Sequence, residues 1–317
     1  MLATNLLFFA IACAVMVFSG TWLVKSLVKI ARFLRITEFA AAFIIMAIAT
    51  SLPELFVGIS SALAKNPALA LGNIVGANIL DLTLIMGIII LLGRGIKVGS
   101  KEIKKDAFYM IFISMLPVAL FAIGKGLSRT DGVILIGVFI FYSLRILKRK
   151  RKFKKELKDE VRRADAILNA FLFTVCLILL FLSARYIIHY ANALAIDLLL
   201  PPIMIGLFLI SIGTTLPELT FGTRAALMGH KEMALGDQIG TVIFNSTFVL
   251  GITTIICPIS AQFSLFLISA LFMLLAAFLL ATFMESGSKL GVREGIALIL
   301  LYAFFVVMEF YIKGIVI

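Results

Sequence analysis

The sequence predicts an all-α polytopic membrane protein of ten transmembrane helices, arranged as two inverted five-helix repeats. Three observations carry that reading. Of 317 residues, 62% are hydrophobic and only 15% charged, against roughly 45–50% and 25% in ordinary soluble domains; the mean hydropathy is +1.15. Apolar runs follow one another at the length of about 20 residues that a helix needs to cross a bilayer. A long stretch of the first half recurs in the second. This composition excludes a soluble enzyme, a secreted disulfide scaffold and a nucleic-acid-binding domain, in spite of a net charge of +12.

The ten apolar runs are 4–24, 37–63, 68–93, 106–123, 131–147, 166–189, 198–227, 233–256, 261–284 and 294–316. The first reads as a span, since no basic segment precedes it and no small-residue cleavage site follows it. An even number of spans puts both termini on one side. Of the 29 Lys and Arg residues, one set of loops carries all but Lys65, Lys125, Arg129, Arg185 and Lys313. The positive-inside rule places the richer set in the cytoplasm and both termini outside the cell membrane. The richest loop, 148–165, separates residues 1–147 from residues 166–317, the two predicted five-helix halves. It reads as a loop that sets topology, with attraction to anionic lipid headgroups as the sharper alternative. Cys13, Cys176 and Cys257 each lie in or beside an apolar run without metal-type spacing. They read as buried small hydrophobes.

The repeat aligns Thr50–Gly87 with Thr214–Gly251 without a gap, at a constant offset of 164 residues. Both copies hold Thr-x-Leu-Pro-Glu-Leu and Gly-x-x-x-Gly, which apolar composition alone does not explain. One copy begins in the second span and the other in the seventh, so an odd offset makes them cross the membrane in opposite directions. Inverted repeats are the architecture of many secondary transporters, with the substrate site at the repeat interface.

Each copy carries acids where acids are costly: Glu54 and Asp81 in the first, Glu218 and Asp237 in the second. A charge at the bilayer centre costs about 2.5–3.5 kcal/mol on insertion scales, and no basic residue stands near them in sequence as a partner. A bound cation resolves the repulsion among them. Thr50 and Glu54 are one turn apart, with Ala47, Ser51 and Gly58 on the same helical stripe; Thr214, Thr215 and Glu218 repeat the pattern. Asn73, Ala77 and Asp81 form a second stripe, and Asp237, Thr241 and Asn245 its counterpart. Pro53 and Pro217 each remove a backbone donor, which is expected to free carbonyls around Ala47 and Ser211. Carboxylates, hydroxyls, amides and carbonyls without Cys or His suit hard cations such as Ca²⁺ and Na⁺. Gly72 with Gly76, and Gly236 with Gly240, read as sites of close helix packing. Glu309 reads as an interface residue rather than a proton site. Asn245-Ser-Thr is a glycosylation sequon placed inside a span, and His189 and His230 lie near span ends.

These repeats resemble the α-repeats of the cation/calcium antiporter superfamily, in particular its compact prokaryotic sodium/calcium exchangers. The resemblance rests on Ala49-Thr50-Ser51-Leu52-Pro53-Glu54 and Gly213-Thr214-Thr215-Leu216-Pro217-Glu218. It rests also on Gly72-Asn73-Ile74-Val75-Gly76-Ala77-Asn78 and its degenerate partner Gly236-Asp237-Gln238-Ile239-Gly240-Thr241-Val242. It implies four cation sites between spans 2, 3, 7 and 8. Glu54 and Glu218 would be the main Ca²⁺ ligands, with Thr50, Thr214 and the carbonyls near Ala47 and Ser211. Ser51, Thr215, Thr241, Asp81 and Asn245 would line Na⁺ sites or the centre, and spans 1 and 6 would slide to switch access. The chain departs from the family pattern at Ala77, where a Ser is usual, at Asp237 and at Val242. Asp81 and Asn245 reverse the usual order of acid and amide. The resemblance implies Ca²⁺/Na⁺ exchange with no cofactor, no enzymatic activity and no obligatory protein partner. Proton-coupled exchange, favoured by the extra Asp237, and a cation channel are the alternatives.

Overall fold

A computed structural model of the chain describes residues 2–33, 47–149, 163–260, 263–286 and 289–312. In chain order it begins with α1 (Leu2–Phe33), α2 (Ala47–Thr50), α3 (Leu52–Leu63) and α4 (Pro67–Leu80). A π-helical turn, π1 (Asp81–Ile85), leads into α5 (Met86–Leu92), β1 (Ile96–Lys97), α6 (Lys101–Gly124) and α7 (Arg129–Arg149). Next come α8 (Arg163–Asp197), α9 (Pro202–Met204), π2 (Ile205–Ile210), α10 (Ser211–Thr214) and α11 (Leu216–Leu227). The last group is α12 (Lys231–Phe244), π3 (Asn245–Val249), α13 (Leu250–Ile256), α14 (Phe263–Ser286), β2 (Lys289–Leu290) and α15 (Val292–Ile312).

This is an all-α polytopic membrane fold. Among the described residues seven helices are long and apolar enough to cross a bilayer, and the pair Pro202–Thr214 and Leu216–Leu227, bent by 41°, makes an eighth. Two of the ten expected spans fall outside that count. Of 37–63, residues 47–63 are described. The other, 131–147, is the 21-residue α7, whose ends carry Arg129, Asp131, Arg145 and Lys148. Most of the basic segment 148–165 lies outside the described residues.

The segments that repeat in sequence also repeat in structure. From α2 to α5 the element lengths are 4, 12, 14, 5 and 7 residues, and from α10 to α13 they are the same five lengths in the same order. Two short strand contacts obey the same relation. β1 pairs antiparallel with β2, placing Ile96 opposite Leu290, while Leu127 and Ile259 exchange two backbone hydrogen bonds of 2.9 Å. Moving each partner of the first pair by 163 residues, in opposite directions, gives the second.

Around these elements α1 and α8 pack along each other, burying Phe9, Met16 and Leu23 against Leu180, Ile187 and Leu194. Phe8 stacks on Tyr190 at 5.4 Å, and the Asn5 amide donates to Asp197 at 2.8 Å. At 32 and 35 residues both helices exceed the roughly 30 Å hydrocarbon core at 1.5 Å per residue, which favours tilt. Gly20 of α1 rests against both breaking prolines: a Cβ there would sit 3.0 Å from Pro217 and 3.5 Å from Pro53. The first glycine pair does serve packing. A Cβ on Gly72 would strike the carbonyl oxygen of Ile203, and one on Gly76 that of Leu207. Backbone therefore meets backbone where α4 crosses α9 and π2.

Candidate cation-binding site

Two broken helices build the site. Leu52-Pro53 and Leu216-Pro217 open α3 and α11, where a missing N–H is tolerated. Ser51 and Thr215 form the breaks, each with φ −83° and ψ near zero. The expectation about freed carbonyls is corrected here. The Ala47 oxygen accepts from Ser51 N at 3.2 Å, Ser51 Oγ at 2.8 Å and Thr50 Oγ1 at 3.4 Å. The Ser211 oxygen accepts from Thr215 N at 3.0 Å, Thr215 Oγ1 at 2.9 Å and Thr214 Oγ1 at 3.2 Å. The reason is register. A proline removes the donor for the carbonyl four residues back, which is Ala49 or Gly213, whereas Ala47 and Ser211 keep Ser51 and Thr215.

All thirteen site residues expected from sequence are buried: Ala47, Thr50, Ser51, Glu54, Asn73, Asp81, Ser211, Thr214, Thr215, Glu218, Asp237, Thr241 and Asn245. The structure links several of them across the repeats. Thr50 Oγ1 donates to Asp237 Oδ1 at 3.5 Å, and Thr214 Oγ1 donates to Asn73 Oδ1 at 3.1 Å. These two bonds exchange under the 164-residue offset. Ser51 Oγ lies 3.3 Å from Thr241 Oγ1, and Thr214 also lies beside Glu54. Glu218 is within electrostatic reach of Glu54, Asp81 and Asp237, and Asp81 within reach of Glu54 and Asp237.

Of the eight oxygens on these four carboxylates, only Asp237 Oδ1 has a hydrogen-bond partner. The ion pairs found among the described residues involve none of the four. Also among the described residues, no three His, Cys, Asp or Glu side chains converge closely enough to hold a metal ion by themselves. The polar side chains recorded beside them are the Thr50 hydroxyl and Gln238 amide at Asp237 and the Thr214 hydroxyl at Glu54.

Asp237 is the seventh residue of α12, fully buried and bonded to Thr50. One expectation fails: Glu309, read as an interface residue, is fully buried and accepts from Ser269 Oγ at 2.6 Å. Three residues at the site were not anticipated. The Asn78 amide donates to Ser246 Oγ at 2.9 Å and accepts from Asn245 Nδ2 at 3.2 Å, joining α4 to π3. Gln238 is fully buried with neither amide atom paired. The second Asn of Gly72–Asn78 was the sequence signal for Asn78; Gln238 offered only its polarity beside Asp237. Asp81 and Asn245 open π1 and π3, and π turns inside α-helices are frequent at functional sites.

Comparison with known proteins identifies this arrangement. The family model for the sodium/calcium exchanger protein matches residues 4–148 and 168–311. The chain belongs to this family. This exchanger family member is a membrane transporter, and its two matched stretches flank the basic segment. The sodium/calcium exchanger MaX1 of Methanosarcina acetivorans is 27% identical over 353 residues, covering 98% of this chain and all of MaX1. The inner membrane protein YrbG of Escherichia coli is 30% identical over 267 residues, 81% of each chain. The fold is that of the sodium-calcium exchanger NCX_Mj, with a TM-score of 0.70 at 24% identity over 97% of this chain and 99% of that one.

Proposed function

We propose that this exchanger is a secondary antiporter that moves Ca²⁺ against Na⁺ by alternating access, through ten transmembrane helices in two inverted repeats with both termini outside. One observation carries the reading: four fully buried carboxylates with seven of eight oxygens unpartnered and, among the described residues, no cationic side chain paired to them. Buried charge without a partner costs several kcal/mol per ion, so the arrangement makes sense as a site whose counter-charge is the cargo. Hard cations take oxygen ligands, and Ca²⁺ takes 6–8 of them. Glu54 and Glu218 supply the principal charge for Ca²⁺. The hydroxyls of Thr50, Ser51, Thr214, Thr215 and Thr241, the amides of Asn73 and Asn245, and Asp81 and Asp237 complete the sites for Ca²⁺ and Na⁺. The carbonyls of Ala47 and Ser211 contribute once their hydroxyl donors turn to other acceptors. Because both ions draw on the same carboxylates they compete, and competition without an empty-carrier crossing produces exchange. The name of MaX1 and the family match support the choice of ions.

A second reading, proton coupling, draws on Asp237, whose Oδ2 is buried without a partner. Uptake of ⁴⁵Ca²⁺ into proteoliposomes under separately imposed gradients tests both. Uptake driven by an outward Na⁺ gradient and indifferent to a pH gradient supports Na⁺ coupling; the reverse result replaces it with H⁺ coupling. Ca²⁺ passage with no coupling ion, at unitary conductances visible in planar bilayers, would make the protein a channel.

A further inference from the structure

An apolar groove of about 720 Å³ runs between α1 and the broken segment π2–α10–α11. Phe9, Cys13 and Val17 form one wall, and Leu209, Gly213 and Leu216 the other. Its volume lies within the roughly 300–1,000 Å³ of sites that hold a ligand of moderate size. Trp22 and Lys25 close one end, with the Lys25 ammonium 4.9 Å from the centre of the indole ring. Lys25 is exposed, as is Lys29 one turn further on. The ion pairs among the described residues leave Lys25 out.

The position of this groove in the bilayer says what fills it. Leu6, Phe18 and Trp22 on the same helix are exposed, so the opening faces hydrocarbon rather than water. From Cys13 to Lys25 the helix rises about 18 Å, slightly more than one leaflet of a core about 30 Å thick. An acyl chain lying along the wall therefore brings its headgroup level with Lys25. Trp marks headgroup depth in membrane proteins, and the unpaired ammonium selects negative charge there.

We propose that the groove between α1 and the π2–α10–α11 break is a binding site for an anionic phospholipid, with one acyl chain in the groove and the phosphate held by Lys25. The seated chain lies against Gly213 and Leu216, which flank Thr214 and Thr215. The two walls meet at the floor of the groove, where a Cβ on Gly213 would stand 3.1 Å from Cys13 Sγ. The lipid thus borders the helix break that carries four of the thirteen candidate cation ligands, Ser211, Thr214, Thr215 and Glu218. The binding itself does not depend on which ions are exchanged.

Trp22 is the only tryptophan in the chain, so intrinsic fluorescence reads the mouth of the groove directly. The purified protein is placed in phosphatidylcholine vesicles containing a small, equal mole fraction of either phosphatidylglycerol or phosphatidylcholine with brominated acyl chains. Brominated phosphatidylglycerol should quench Trp22 with an apparent affinity about fivefold higher, the preference expected from one Lys beside anionic lipid. Lys25→Gln should abolish the preference. Ala14→Phe, which fills the groove and keeps Lys25, should abolish it as well, and Ala10→Leu serves if that variant does not fold. Equal quenching by the two lipids in the wild type would overturn the proposal. So would a preference that survives groove filling, since that places the lipid in the general annulus.

Discussion

Replacing Glu54 or Glu218 by Gln should weaken Ca²⁺ binding while leaving a folded protein, and the two effects separate in one assay. Both carboxylates are fully buried without a well-formed hydrogen bond, and the amide keeps the shape and an oxygen that can still accept from Thr214 beside Glu54. Glu218 is moreover one of four mutually repelling acids, so its neutral variant unfolds no more readily than wild type when divalent ions are withheld. The ion, by contrast, loses a formal counter-charge. Removing one partner of a buried charge pair costs about 3–5 kcal/mol, which is at least a hundredfold in affinity. A ligand present at 100 times its Kd stabilises the folded state by about 2.7 kcal/mol. After a hundredfold loss the same concentration gives about 0.4 kcal/mol by the same relation. Thermal unfolding in detergent, with and without Ca²⁺ in Na⁺-free buffer, should show the Ca²⁺-induced rise in midpoint shrink to about one-sixth. Loss of ⁴⁵Ca²⁺ exchange in proteoliposomes should accompany it. A Ca²⁺-induced rise of wild-type size in both variants, with exchange intact, would refute the assignment of these two residues.

Three further outcomes follow from other parts of the structure. Asp81 and Asn245 occupy the same position in π1 and π3, so the double variant Asp81→Asn/Asn245→Asp should retain more exchange than Asp81→Asn alone; no advantage for the double variant means the two do not share a site. Asp237→Asn keeps an acceptor for Thr50 but removes one charge, so either the Na⁺ dependence of Ca²⁺ flux should change or its pH profile should flatten; if both match wild type, Asp237 has no part in coupling. Gly76→Ala drives a methyl group into the Leu207 carbonyl and to 2.8 Å from Ser211 Oγ, which should cost about 1–3 kcal/mol and lower the thermal midpoint. Gly137→Ala on α7, where a Cβ meets nothing within 4 Å, should instead raise it slightly; equal shifts would show that the α4–π2 contact is not tight.

The chain's pattern alone already marked the repeat, the two helix breaks and thirteen positions that prove to be buried. The physical reason is cost. An acid, a proline or an amide inside an apolar span is expensive, so its recurrence at one offset is informative without any knowledge of neighbours. Helical spacing likewise put Thr50 with Glu54 and Asp237 with Thr241 on common stripes, because periodicity is a local property. What each stripe packs against is not local, and there tertiary structure decided. Asp237 is a buried partner of Thr50 because α2 and α12 lie side by side. Glu309 is buried because α14 brings Ser269 to it. Asn78 matters because Asn245 and Ser246, more than 160 residues away, meet its amide. Local chemistry named the costly residues; the packing of helices distant in sequence chose their partners.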